Sequence, residues 1–97
     1  MDAVEARELL AVKLAPLRNL TYDQLVARLL DRIEVSEAVG ASGVTYTIEL
    51  EGRWDDHRRP GENLRVLGAI DDGTLRGAFR PLGDGFLVAP DGTFLRP

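Results

Sequence analysis

The residues best equipped for chemistry stand together at Trp54-Asp55-Asp56-His57-Arg58-Arg59. This stretch holds the only His and the only Trp of the chain. Two carboxylates beside an imidazole are the groups that general acid–base work or metal ligation requires. Neighbouring residues of an extended segment point to opposite sides, so the three converge only if another element helps. The competing reading is a solvated hairpin connection whose Trp54 caps the edge of the core.

Other constellations are weaker. Asp71 and Asp72 would need Asp84 or Asp91 beside them, and calcium asks for six or more oxygen donors. No twelve-residue EF-hand pattern is present, and Asp before Gly is what a tight turn demands. Arg53, Arg58, Arg59 and Arg65 cluster around Trp54 and would suit phosphate or base stacking. Asp55, Asp56 and Glu62 neutralise much of that charge, and a formal net charge of −4 argues against a nucleic-acid partner. The absence of Cys excludes thiolate nucleophiles, disulfides and Cys-based zinc sites. Neither a Gly-x-Ser-x-Gly elbow nor a Gly-rich phosphate loop before a helix occurs. No catalytic residue, metal site or cofactor is expected.

The elements that would position these residues follow from periodicity. Residues 2–14 predict a helix, with Asp2 as N-cap and Glu5 as its capping-box partner. Ala3, Ala6, Leu10, Leu14 and Leu17 share a stripe that Leu9 and Val12 widen, and Pro16 ends the helix. That surplus apolar surface suits either a partner or a helix wedged between the sheet and its neighbour helix. A second helix starts at Thr21, with Gln24 completing a capping box and Leu20 and Leu25 a hydrophobic staple. Its buried face is expected to be Tyr22, Leu25, Val26, Leu29, Leu30 and Ile33, and its end near Arg32.

From Ile33 the period changes to two. Ile33, Val35 and Val39 predict the apolar side of a strand whose other side is Glu34, Ser36 and Ala38. After the turn Gly40-Ala41-Ser42-Gly43, Val44, Tyr46, Ile48 and Leu50 alternate with Thr45, Thr47, Glu49 and Glu51. Strict alternation marks an antiparallel strand with one wet face. Leu64, Val66 and Ile70 predict a third strand, Leu75, Gly77 and Phe79 a fourth, Phe86 and Val88 a fifth, and Phe94 a final stub. Turns are expected at Asp72-Gly73, at Gly83-Asp84-Gly85 and at Pro90-Asp91-Gly92. The sum is a single α+β domain over residues 1–97: two N-terminal helices packed on one face of an antiparallel meander of about five strands.

Ninety-seven residues suffice for one modest core. With early acid and no cationic stretch in the first residues, no signal peptide is expected, and no apolar run is long enough to span a bilayer. A cytoplasmic protein without membrane contact is expected. Leu20-Thr21-Tyr22-Asp23-Gln24-Leu25, Gly40-Ala41-Ser42-Gly43, Trp54-Asp55-Asp56, Ile70-Asp71-Asp72-Gly73 and Pro90-Asp91-Gly92-Thr93-Phe94 are similar to segments of a group of small uncharacterised bacterial proteins. The similarity spans residues 20–95 and implies no activity. The expected role is protein–protein interaction or regulation, with a protein partner or a second copy as homodimer. The contact surfaces would be Glu49 and Glu51 with Thr45 and Thr47, the Trp54–Arg59 loop, or an edge strand. The alternative is a ligand or metal site, or an enzyme, built on Asp55, Asp56 and His57.

Overall fold

Asp2 opens helix α1 (Ala3–Leu14), its carboxylate accepting from the N–H groups of Val4 at 3.0 Å and Glu5 at 3.1 Å. Residues 1–73 and 82–95 are described by the computed structural model used throughout. The return bond of a capping box is not made, because Glu5 is engaged elsewhere. Its carboxylate accepts from the Ser42 N–H at 2.9 Å, the Ser42 hydroxyl at 2.7 Å and the Tyr46 hydroxyl at 2.7 Å. The chain turns on past Leu14 in a 3-10 segment, Ala15–Asn19, with Pro16 near its start and Leu17 buried. Helix α2 (Tyr22–Leu29) carries the expected capping box, Thr21 N–H to Gln24 Oε1 at 2.9 Å and Gln24 N–H to Thr21 Oγ1 at 3.1 Å.

Helix α2 stops at Leu29, short of Arg32, and the sheet is the reason. Leu30 is already extended and bridges Gly52. Asp31, at φ 55°, then turns its N–H to the Gly52 carbonyl at 2.9 Å.

The strands are β1 (Ile33–Val39), β2 (Thr45–Trp54), β3 (Leu64–Asp71), β4 (Leu82–Val88) and β5 (Phe94–Leu95). They form one sheet in the order β1-β2-β3-β4-β5, every pair antiparallel. The fold is α+β, as the periodicity implies. No helix among the described residues is long and apolar enough to cross a membrane. The strand expected at Leu75, Gly77 and Phe79 lies outside the described residues.

Two further expectations are corrected. Gly83-Asp84-Gly85 is no turn but the middle of β4, where Gly85 pairs with Leu67 and Asp84 with Gly68. A Cβ on Gly85 would collide with the Val66 carbonyl oxygen, so this glycine serves close approach of two strands. The second correction concerns β1. Its apolar residues face away from the helices: Ile33, Val35 and Val39 are 61%, 63% and 65% exposed. The half-buried side is Glu34, Ser36 and Ala38. The hairpin register explains this, since Ile33 pairs with Glu51, Val35 with Glu49 and Val39 with Thr45. Cross-strand partners share a face. Because β2 must bury Tyr46, Ile48 and Leu50, β1 has no choice of side.

Helix α1 lies against β3 and β4, and α2 against β2. Leu10, Leu14, Leu25 and Leu29 meet Ile48, Leu50, Val66, Ile70 and Phe86 in a single core. Glycine makes the seats: a Cβ on Gly68 would lie 2.9 Å from Leu10 Cδ1 and 3.3 Å from Leu14 Cδ2, and one on Gly52 3.1 Å from Leu29 Cβ. Gly68→Val is expected to overpack α1's seat and cost about 1–3 kcal/mol. A lower urea midpoint at unchanged slope would show it.

The Glu5 cluster titrates. Donation from Tyr46, then from Ser42, holds the Glu5 carboxyl below its ordinary 4.5. The same bond and burial push the Tyr46 hydroxyl up to about 12. A carboxyl depressed by folding stabilises the native state above its unfolded pKa and loses that contribution as pH falls. Glu5→Gln is therefore expected to melt a few degrees below wild type at pH 7. Thermal scans should show the gap closing as pH drops below 4.5.

Candidate functional site

The 55–63 connection is built as a locked hairpin loop. Asp55 donates its N–H to the Asn63 carbonyl at 2.9 Å, Arg59 to Asp56 at 2.9 Å and Glu62 to Arg59 at 3.2 Å. Asp56 Oδ1 accepts from the Arg58 N–H at 3.0 Å and from Arg58 Nε at 3.2 Å. Those Arg58 contacts, helped by the charges of His57 and Arg59, draw the Asp56 carboxyl below its ordinary value. Arg59 reaches Glu62 at 3.6 Å. From below, Tyr22 on α2 donates its hydroxyl to the Glu62 carbonyl at 2.6 Å, and burial raises its pKa.

Asp55 and Asp56 line one shallow cleft of about 200 Å³ with Arg59, Glu62 and Asn63. His57 is not part of that lining. It is exposed, and its imidazole has no hydrogen bond or ion pair among the described residues. Trp54 is half-buried against the core at the end of β2. Asp55 is taken up by Arg65, at 2.8 and 3.0 Å. That pairing has an electrostatic origin. Arg53 and Arg65 are directly opposite on β2 and β3, where like charges repel. Each turns to a carboxylate instead, Arg53 to Glu51 at 2.7 Å and Arg65 to Asp55. The loop thus has ion pairs within itself and with β3, and among the described residues no group of three His, Cys, Asp or Glu could hold a metal ion.

Glu49 and Glu51 belong to a different place, the sheet face away from the helices. With Ile33, Leu67, Gly68 and Ala69 they line a trough of about 210 Å³. Gly83 and Gly85 carry no side chains to fill this face opposite Ala69 and Leu67. Ile33, Val35 and Val39 continue the face outward to the edge at β1.

Sequence reading missed this apolar edge. One signal was available: Glu37 has the same parity as Ile33, Val35 and Val39, so that row was never purely apolar. The other was loop length. Gly40 pairs with Val44 around three residues, which ties the parity of β1 to that of β2.

No family model, curated protein or solved structure matches the chain.

Tyr22→Phe should leave the fold intact and free the Glu62 carbonyl. Faster amide exchange across residues 59–63, with far-ultraviolet dichroism unchanged, is the expected outcome.

Proposed function

We propose that this chain is a non-enzymatic protein-interaction module whose contact surface is the β1 edge and the sheet face beside it. One observation carries the reading. Among the described residues, most of the exposed large apolar side chains gather at this edge. They are Val4, Val12, Ile33, Val35, Val39 and Val44, with only Met1 and Phe94 elsewhere. Val4 and Val12 belong because they share a surface groove with Gly40 and Ala41 at the β1–β2 turn. Ile33, Val35 and Val39 lie on the outer face of the edge strand and Val4 and Val12 on its helix side, and exposed apolar side chains flanking a free strand edge are what a partner strand or surface covers. Glu49 and Glu51, in the adjoining trough, add acid that complements a partner's basic residues. A bacterial, cytoplasmic setting belongs to the same proposal.

The loop at Asp55, Asp56 and His57 supports ligand chemistry less well, since the cleft collects the two carboxylates without the imidazole. The test is cross-linking in native extract with wild type, Val35→Lys and His57→Ala, whose altered side chains are all exposed in the wild type and should leave stability within about 0.5 kcal/mol. Protein adducts lost in Val35→Lys and kept in His57→Ala support the module. Adducts equal in wild type and Val35→Lys, or lost only in His57→Ala, overturn it.

A further inference from the structure

We infer that the β1 edge pairs with the β1 edge of a second copy, antiparallel, about a two-fold axis through Ser36. This rests on the interaction-module reading and names its partner. The argument starts from which backbone groups are free. Gly40 donates its N–H to Val44 at 2.9 Å, so Gly40 turns its polar groups to β2. Backbone direction alternates along a strand, so Ala38, Ser36 and Glu34 do the same. Ile33, Val35, Glu37 and Val39 then direct N–H and C=O away from the sheet, and among the described residues β1 pairs with β2 alone.

An antiparallel partner must align these outward residues with outward residues of its own. For two identical strands that leaves few registers. An axis at Glu37 sets Glu37 against itself, and like charges directly opposite are unfavourable. An axis at Val35 sets Val39 opposite Asp31, beyond the start of the strand and in a left-handed conformation. An axis at Ser36 uses the whole of Ile33–Val39. Ile33 then lies opposite Val39 of the second copy, Val35 opposite its Glu37, and Ser36 opposite its Ser36. No like charges are opposed.

Charge complementarity on the helix side favours the same register. Lys13, the only lysine, has no ion pair among the described residues. It lines a groove of about 240 Å³ together with Val12, Arg28 and Ala38. Each Glu34 takes Arg28 Nε of its own copy at 3.1 Å, and the Ser36 axis brings that carboxylate directly opposite Ala38 of the second copy, where Lys13 can share it. On the other side, the exposed row of Ile33, Val35 and Val39 meets its own image. Isologous pairing of this kind buries the same patch on both subunits and closes at two.

The native chain lacks Cys, which gives a direct test. Ser36→Cys places one thiol per copy at the axis, in a pair without mutual hydrogen bonds, where side chains approach closest. The expected results are a dimer mass in sedimentation velocity and rapid disulfide dimerisation of Ser36→Cys. Glu34→Cys and Ala38→Cys should each resist cross-linking alone and cross-link when mixed. Val35→Lys should be monomeric with an unchanged dichroism spectrum. A wild-type protein that stays monomeric across the concentration series overturns the pairing. So does a dimer unmoved by Val35→Lys, or one in which Glu34→Cys links to itself and Ser36→Cys does not. Monomer together with Val35-dependent adducts in extract would refute self-pairing while leaving the module reading in place.

Discussion

The first hairpin decides the faces of this molecule. Gly40 and Val44 close a loop of three residues, with Gly43 at φ 87° and its N–H on the Gly40 carbonyl. Residues of equal parity on β1 and β2 therefore share a side. The helices can cover only the side that carries Tyr46, Ile48 and Leu50. Everything on the other side of β1 is then committed to solvent or to another chain. The same device recurs at Ala89–Thr93, where Ala89 N–H meets Thr93 and Gly92, at φ 88°, bonds back to Ala89. In both loops the residue before the glycine accepts from the N–H two positions on, Ser42 from Val44 and Asp91 from Thr93.

What fixes the helices over the sheet is a mixture of apolar seating and one polar tie. Leu10 and Leu14 settle over Gly68, and Leu29 over Gly52. Glu5 then holds the start of α1 to the β1–β2 turn through Ser42 and Tyr46. Its carboxylate lies so close over Gly40 that a side chain there would strike it. The tie anchors α1 at the turn, and farther along β1 Ala38 packs against the core from the same side. There Arg28 at the end of α2 reaches the half-buried Glu34, its Nε donating to Oε1 at 3.1 Å and Oε2 at 3.2 Å.

Caps, staples and alternation were legible in the sequence because they are local. Thr21 with Gln24, and Tyr46 to Leu50 against Thr45 to Glu51, depend on spacing alone. Glu5 was read as a capping partner for the same reason. Its actual bonds reach thirty-seven and forty-one residues along the chain, which no local pattern reports. The side chosen by β1 is likewise non-local: Ile33, Val35 and Val39 read as core until the pairing register is known. Asp84-Gly85 carried the composition of a turn, yet Gly85 serves strand approach. At the candidate loop the residue types were visible, but that Arg65 would occupy Asp55 depended on the β2–β3 register, which sets Arg65 opposite Arg53.

Glu37 sits among the exposed valines of β1 as their single charge. A strand edge of uninterrupted Val and Ile would accept almost any extended chain and would stack on itself without limit. One carboxylate in that row acts as a gatekeeper. It disfavours strands that present acid at that position and tolerates those that offer a neutral or cationic neighbour. On the proposed pairing, the choice of what the edge accepts is concentrated in one side chain.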